Sequence, residues 1–559
     1  MTTPYNHHDE KKLSTEHLEG GIHADDVENA LDDKHVEGGK KKGVNTQLDD
    51  AAALLAAHGG HIEYTPEENK RVLRMVDLYV CVPMCLVYWL QQLDKSSVSY
   101  AAVFDLREST GLVGTQYSWL SSGVYVAQLV FQPLSSYALI VFPVKYWVMF
   151  NFTAWSICTA ATAAATNFTG LIICRILLGM FEATILPSFI LVTQMWWTRR
   201  EQSYRTIAWQ VANSMAAILG PLLSYGVGHA KTGLKPYQSI FLCLGLVSLG
   251  LTSVVWWLMP NSPTTAKFLK NGNDRLIAIE RLRENNTGTK SSKWQWYQVK
   301  ETFIDPKTWL WAAMYVCCAT PSGGFGAFGG IITKGLGFTS FKAILMQIPT
   351  GALQIVTLLL GIWITNRFKM RWPVLAFLCL PPIAGATGLL KVPRDQPNDL
   401  LGCYYVAMLL GALQPLLYTW ANLNAAGSTK RVVTTAIMFV FQCVGNIIGP
   451  QVYLAKENPY YFTGLKVDIA CWACLFVLIL TQAAYLTYLN KKKEKQRAAL
   501  GLPTDLKDIS LMSSAEAAAY KIELKEILRA QGFDENKLND SAFGDLTDWE
   551  SGTFLTSDY

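Results

Sequence analysis

Two ionisable residues, Arg175 and Glu182, lie inside a long apolar stretch that covers residues 169 to 196. Seven positions are about two turns of a helix, so both side chains share one face, with about 10 Å between their Cα atoms. The guanidinium of Arg175 keeps its charge and fits the planar shape of a carboxylate. A glutamate in apolar surroundings can take up and release a proton. The pair predicts a site for an organic anion and a proton, and a fixed structural salt bridge is the alternative.

A few other polar residues are candidates for the same site. Asp94 and Lys95 follow the first apolar stretch, where Lys95 could guide an anion or could extend to the membrane surface. Asp77 lies one turn from Arg74, and we interpret it as a surface anchor. The second half of the chain offers neutral candidates inside its apolar stretches, among which Tyr418 and Asn422 are expected to complete a binding site: Gln347, Gln414, Tyr418, Asn422, Asn424, Gln442 and Asn446. Each amide could equally join two helices.

Cofactor and metal chemistry find little support in the sequence. Seven of the 8 His precede residue 62, too far from the apolar stretches to form a buried metal site. All 12 Cys lie within apolar stretches, and Cys471-Trp-Ala-Cys474 is therefore interpreted as small apolar side chains. The GxGxxG pattern from Gly324 to Gly329 follows no strand, so it indicates tight helix packing and not a nucleotide site. We expect no cofactor and no metal, with a proton gradient as the energy source.

The elements that position these residues are membrane-spanning helices. Hydrophobic residues make up 51% of the 559-residue chain and charged residues only 16%, below the share of about 25% in globular proteins. A bilayer core of about 30 Å needs about 20 apolar residues in a helix. Roughly twelve stretches of that kind are present, at about 75–93, 114–139, 146–166, 169–196, 204–228, 238–259, 308–333, 342–365, 373–391, 401–425, 432–455 and 467–489.

The longest gap between stretches divides the chain into two sets of six helices. We predict a disordered N-terminal tail (1–65), an N-terminal six-helix bundle (66–259), a central loop (260–307), a C-terminal six-helix bundle (308–490) and a C-terminal tail (491–559). Lys and Arg are concentrated in the segments on the side of the N-terminus, which places both tails and the central loop in the cytoplasm. The fold class is thus an all-α polytopic membrane protein, most consistent with the plasma membrane.

The two sets of helices also share a pattern. The fifth stretch follows Arg199-Arg200 and carries Gly220-Pro221, and the eleventh follows Lys430-Arg431 and carries Gly449-Pro450. Such a parallel repeat of six helices is a known basis of transporter folds. We interpret the Gly-Pro pairs as structural, because they bend helices or let them approach closely.

Several motifs together resemble the major facilitator superfamily and, within it, the fungal anion:cation symporter group that includes allantoate permeases. The motifs are Leu93-Asp94-Lys95, Arg175-Ile-Leu-Leu-Gly179 with Glu182 and Pro187, Met259-Pro260-Asn261-Ser262-Pro263, Asn286-Thr287-Gly288, Ala426 to Arg431, and Gly445 to Pro450. The resemblance runs from about Asp77 to Asp468. It implies two bundles around an alternating-access cavity and proton-driven uptake of a small organic anion. It also implies that Arg175 serves anion binding and Glu182 serves proton coupling.

The sequence departs from that family pattern in three places and leaves alternatives open. The loop from Val141 to Trp147 carries only Lys145 where the superfamily usually has several Arg, Lys95 replaces a usual Arg, and the seventh stretch lacks the Arg that some anion-transporting relatives carry. A proton-driven exporter of a drug or toxin and a non-transporting nutrient sensor are the alternatives to uptake. A soluble enzyme is excluded because the spans leave no catalytic domain, and the balanced net charge of +5 disfavours nucleic acid. We expect a monomer that binds a carboxylate such as a ureide, a vitamin carboxylate or a short peptide.

Overall fold

The computed structural model describes residues 64–230, 233–269, 272–286 and 294–499, together with Tyr520, Glu523 and residues 547–549. Every regular element in these ranges is a helix. The predicted N-terminal tail, residues 1–65, lies outside the described residues except for its last two positions. Most of the predicted C-terminal tail does as well.

Within the residues that the structure describes, twelve long helices follow one another in two sets of six. In the first half they are α1 (Pro66–Val103), α2 (Gln116–Val141), α3 (Val144–Thr162), α4 (Phe168–Trp196), α5 (Arg199–His229) and α6 (Pro236–Leu258). Two shorter helices follow, the first connector helix (Gly272–Asn286) and the second connector helix (Trp296–Ile304). The second half contains α7 (Pro306–Gly335), α8 (Ser340–Phe368), α9 (Trp372–Lys391), α10 (Pro397–Ala407 and Leu413–Leu423), α11 (Ser428–Gln451) and α12 (Phe462–Ala499).

Nine of these helices are long and apolar enough by themselves to cross a membrane, counted within the described ranges. The other three are α2, α3 and α10. Polar Ser, Thr, Asn, Gln and aromatic residues dilute the apolar character of α2 and α3, and a turn between Ala407 and Leu413 interrupts α10. Hydropathy alone thus indicates nine membrane crossings, and the position of α2, α3 and α10 among the other helices indicates the remaining three.

Helix α1 is longer than its apolar stretch. Thr65 caps its start in a capping box with Glu68, and Pro66 occupies the first turn, where its missing N–H costs nothing. The helix continues through one π-helical turn, Asp77–Cys81, and ends at Val103. The prediction that Asp94 and Lys95 close this helix at its outer end was wrong. Val98, Ala101 and Val103 continue the buried side of the helix beyond them.

Contacts between the two halves lie toward one side of the bundle. We call the side where α1 begins and α12 ends the terminal side, and the opposite one the distal side. Helix α1 packs on α7, α2 on α11 and α5 on α8. On the distal side, Lys334 Nζ lies 2.7 Å from Asp105 Oδ1, and Arg107 donates to the Tyr461 hydroxyl at 3.2 Å. These contacts close the distal side.

The terminal side is organised differently, because each connector helix binds its own half. Arg281 of the first connector helix pairs with Glu201 of α5 at 2.6 Å, and Glu301 of the second pairs with Lys430 of α11 at 2.6 Å. A cleft of about 880 Å³ opens along the terminal-side halves of α1 and α5. The named contacts between the two halves thus lie on the distal side, and the cleft lies on the terminal side, along two helices of the first half.

Glycines set the closest helix approaches in both halves. A Cβ on Gly220 of α5 would lie 2.8 Å from the Tyr100 ring of α1, and one on Gly449 of α11 would lie 2.2 Å from the Thr320 carbonyl oxygen of α7. The two Gly-Pro pairs thus perform the same packing task in the two halves. Gly324 and Gly329 likewise pack against Tyr453 and Tyr404, so the GxGxxG pattern belongs to helix packing.

Candidate functional site

The Glu182 carboxylate is buried where α1, α2 and α4 meet, with 1% of the residue exposed. Its Oε2 accepts a hydrogen bond from Gln128 Nε2 at 3.0 Å and lies 3.5 Å from Lys95 Nζ. Its Oε1 has no hydrogen-bond partner among the described residues. The glutamate is therefore held by one neutral donor and one ion pair of ordinary length, with one oxygen left over.

Arg175 projects from the same helix toward α1 and α6. Its guanidinium donates to Ser97 Oγ at 3.0 Å and to the Asp94 backbone oxygen at 3.3 Å. The Phe241 ring of α6 lies 5.2 Å from the guanidinium carbon, within the range of a cation–π contact. These hydrogen-bond acceptors are neutral, and the ion pair of Glu182 is formed with Lys95. The sequence predicted Arg175 and Glu182 on one helix, with a structural salt bridge between them as the alternative. In the structure, the salt bridge of Glu182 is formed with Lys95 instead.

Asp94 is the second buried carboxylate of this region. The Trp155 indole of α3 donates a hydrogen bond to Asp94 Oδ2, and Ser248 Oγ of α6 lies 3.5 Å from the same oxygen. Because α1 continues to Val103, Asp94 lies within the bundle and not at its edge. We call Asp94, Lys95, Arg175 and Glu182 the central cluster. It contains two acidic and two basic groups and is neutral when all four are ionised.

Four neutral residues that hold the central cluster were not recognised from the sequence: Ser97, Gln128, Trp155 and Ser248. One signal could have indicated Gln128, since an amide within an apolar span of α2 must find a buried partner. Ser97, Trp155 and Ser248 carry no comparable signal. Hydroxyls of helical Ser often bond to their own backbone, and Trp is common in membrane helices.

The two neutral residues predicted for the second half lie together on α10, away from these ion pairs. Asn422 donates from its amide to the Tyr418 backbone oxygen at 2.8 Å and accepts from Thr435 Oγ1 of α11 at 3.0 Å. Tyr418 is partly exposed. The described contacts of Tyr418 and Asn422 thus join α10 to α11, and none of them reaches the central cluster.

Asp77 has a more specific environment than the predicted surface anchor. Arg205 of α5 donates to both of its carboxylate oxygens, at 3.0 Å and 2.6 Å, and the Trp197 indole donates at 2.9 Å. Asp77 and Arg205 both line the terminal-side cleft together with Arg74 and Tyr204. This bidentate pair joins α1 to α5 at the mouth of the cleft.

Comparison with known proteins identifies the family. The family model described as Major Facilitator Superfamily matches residues 84–450, which is more than half of the chain. The chain belongs to this superfamily. The superfamily member described here is accordingly a multi-pass membrane transporter and not an enzyme, with twelve transmembrane helices in two six-helix bundles.

Two relatives and one solved structure show how far the similarity extends. An uncharacterized transporter of Schizosaccharomyces pombe is 32% identical over 80% of this chain and 85% of its own length. The allantoate permease of Saccharomyces cerevisiae is 28% identical over 82% of this chain and 87% of its own. The crystal structure of a bacterial homolog to the human lysosomal transporter Spinster, inward-facing and unoccupied, superposes with a TM-score of 0.56 at 11% identity, covering 76% of this chain and 97% of that one. The predicted resemblance to the allantoate permease group is confirmed.

Proposed function

We propose that this transporter takes up a small organic anion together with a proton, by alternating access, across the plasma membrane. In this account the terminal side faces the cytoplasm, both tails are cytoplasmic and the functional unit is a monomer. The observation that carries the proposal is the buried Lys95–Glu182 pair, in which the two charges lie 3.5 Å apart and Gln128 holds the same carboxylate oxygen. A buried charge pair inside a membrane bundle is costly and therefore indicates a functional site.

Proton binding at Glu182 would free Lys95 for a substrate. An ionised Glu182 attracts the ammonium group of Lys95, whose side chain is still 22% exposed. Once Glu182 is protonated, Lys95 is left without its anionic partner, and a buried cation without a counter-ion is strongly unfavourable. A substrate carboxylate can then replace Glu182 beside Lys95. Proton and anion binding support each other through this exchange.

Arg175 is suited to a second contact with the anion. Its current hydrogen bonds go to a serine hydroxyl and a backbone oxygen, both neutral acceptors. Charge-assisted hydrogen bonds between guanidinium and carboxylate are stronger than bonds to neutral acceptors. An entering carboxylate can therefore displace the Ser97 contact. Tyr418 and Asn422 are proposed to approach the substrate from α10 as neutral hydrogen-bonding groups.

The balance of charge in the central cluster favours a stoichiometry. Two carboxylates and two cations cancel, so a monovalent anion entering alone would leave one uncompensated negative charge. One proton on Glu182 restores neutrality. Since uncompensated charge inside the membrane is disfavoured, one proton per monovalent anion is the combination that crosses most readily. Uptake of such an anion should therefore be electroneutral.

The substrate class rests on the relatives and on these cations together. The allantoate permease relative is named for a small carboxylate, and the site offers the two basic residues, Lys95 and Arg175, that a carboxylate requires. Ureides, vitamin carboxylates and short peptides all carry this group. A drug or toxin exporter would have to use the same cations in the opposite direction, and we have no observation that favours it.

Uptake in proteoliposomes tests the proposal. Purified protein is reconstituted, and entry of labelled allantoate and of other small carboxylates is measured with the outside acidic, then with no pH gradient. We expect accumulation only with the gradient, and expect valinomycin with potassium to change it little because transport is electroneutral. Uptake that is indifferent to the pH gradient would contradict proton coupling. Extrusion driven by the same gradient would favour export instead.

A further inference from the structure

A second group of buried charges lies on the terminal side of the second half, at the helix ends. It consists of Glu301, Asp305, Lys307, Lys430 and Asp548, which we call the end cluster. Lys430 Nζ lies 2.6 Å from Glu301, 2.9 Å from Asp305 and 2.8 Å from Asp548. Lys307 also pairs with Asp548 and donates to the Asn424 backbone oxygen at 2.9 Å. The cluster joins the ends of α7, α10 and α11 to the second connector helix.

Asp548 differs from the other members because it comes from the C-terminal tail. The last long helix ends at Ala499, so the chain reaches this position through residues 500–546. Thr547 and Asp548 are buried, and the Trp549 ring lies 5.1 Å from Lys430 Nζ as a cation–π partner. The Asp548 backbone oxygen also accepts from Lys493 of α12. Thr547 and Asp548 thus fill a basic socket, and the half-exposed Trp549 ring lies over Lys430.

Removal of the tail residues would leave the socket with excess positive charge. Lys307, Lys430 and Lys493 surround Asp548, while Glu301 and Asp305 supply the remaining negative charges. Asp548 is the carboxylate that balances three lysines against three acids. Residues 547–549 belong to the same chain as the socket, so their binding is intramolecular and occurs at high effective concentration. After any release, the same segment can therefore bind again.

The socket also has a position that matters for alternating access. Helices α7 and α11 contact α1 and α2 of the first half, and their distal ends make the closed side. When the distal side opens, their terminal-side ends must approach the first half. Those are the ends that the end cluster ties to α10 and to the second connector helix.

We propose that residues 547–549 form a reversible latch, which binds the socket of Lys307, Lys430 and Lys493 and favours the state that is open on the terminal side. Docking ties the ends of α7, α10 and α11 together and opposes their movement. Release of the latch lets the terminal side close more often. The tail of this transporter thereby controls how quickly the cycle runs, independently of which substrate it carries.

Thiol labelling of full-length protein in lipid nanodiscs tests the latch. Cys81 and Cys85 line the terminal-side cleft, so their reaction with N-ethylmaleimide, followed by mass spectrometry, reports how often this side is open. We expect Asp548→Asn and Trp549→Ala to slow labelling by at least about threefold, because the open state loses its docking energy. Asp399→Asn, which removes an exposed carboxylate on the distal side, is the matched control.

The outcomes divide clearly. Equal labelling in wild-type and Asp548→Asn protein, or the same decrease in Asp399→Asn, overturns the latch. Where Asp548→Asn fails to fold, a chain truncated after Asp540 is used, and a synthetic peptide of residues 540–559 is added to it. If the peptide returns the labelling rate of the truncated chain to the wild-type rate, the latch is supported. If labelling stays slow in the presence of the peptide, the latch is overturned.

Discussion

The two halves of this transporter place their buried charges at different depths. The central cluster of the first half lies within the bundle, whereas the end cluster of the second half lies at the terminal-side helix ends. Lys95 and Glu182 are 3.5 Å apart and Glu182 keeps one unpartnered oxygen. Lys430 has three carboxylates within 2.9 Å. The same residue types thus form a site that a new anion can enter in one half and, in the other, a network of short ion pairs that Asp548 of the tail completes.

This difference follows from the local surroundings of each lysine. Lys95 shares its carboxylate with Gln128, and its side chain retains some exposure, so a new anion can reach it. Lys430 has a fully buried side chain and lies beneath Trp549. A charge with several short partners is costly to separate from them. We infer that the first arrangement supports transport, whereas the second stabilises the helix ends while the tail is docked.

The largest predicted effect is on stability, in the end cluster. Lys430→Met leaves Glu301, Asp305 and Asp548 without their shared cation, and loss of one partner of a buried ion network costs about 3–5 kcal/mol. We expect a much lower thermal unfolding temperature, measured by the fluorescence of a thiol-reactive dye or by loss of the monodisperse peak on heating. Lys466→Met removes an exposed lysine of α12 and should leave the unfolding temperature unchanged. Equal destabilisation by both variants would contradict the comparison.

Loss of the corresponding lysine in the central cluster, Lys95, should reduce uptake strongly and stability only slightly. Lys95→Met breaks a single, longer ion pair, and Glu182 can offset the lost positive charge by binding a proton, so we expect a smaller loss of stability than for Lys430→Met. Uptake should fall by about 100-fold, because the anion loses its accessible cation. Parallel measurement of unfolding temperature and initial uptake rate checks this. A variant that loses stability as Lys430→Met does, or that transports normally, would refute the assignment.

Arg175→Lys separates geometry from charge. Lysine keeps the positive charge but cannot donate to Ser97 and to the Asp94 backbone oxygen in the fixed fork of a guanidinium. We expect the protein to fold and uptake to fall by about 10-fold, mainly through a higher KM for the carboxylate. Initial uptake rates over a range of substrate concentrations give kcat and KM separately. Unchanged KM with reduced kcat would show that Arg175 does not contact the anion.

The sequence predicted the class of fold, and it indicated Arg175 and Glu182 as candidates for the site. Long apolar stretches can cross a bilayer as helices, and charges inside such stretches are costly, which favours a functional role for this pair over a purely structural one. The position of Asp94 and Lys95 within α1 was missed, because the polar sequence after Leu93 resembles a helix end. Partners such as Gln128 and Trp155 come from other helices, and a single sequence does not show which faces meet.

The smallest predicted effect is the pH response of the end cluster. Burial alone would raise the pKa of the Asp548 carboxyl, but Lys307 and Lys430 outweigh burial and hold this pKa below its ordinary value. The stability that Asp548 contributes is therefore lost only as the pH falls through its lowered pKa.

Latch docking should therefore be constant between about pH 5 and 7. The ratio of Cys85 labelling in wild-type protein to that in Asp548→Asn protein cancels both the reactivity of the thiol and the protonation of the central cluster, and it should stay constant between pH 5 and 7. A clear change there would mean that a titrating group controls docking.

The central claim is that Glu182 couples proton movement to anion movement. Proteoliposomes containing wild-type or Glu182→Gln protein are tested for two activities, accumulation of labelled allantoate driven by an acidic exterior and exchange of labelled for unlabelled allantoate without a gradient. We predict that wild-type protein does both, whereas Glu182→Gln protein exchanges substrate but no longer accumulates it, since glutamine permanently resembles the protonated acid. Gradient-driven accumulation by Glu182→Gln protein at the wild-type rate would contradict the account.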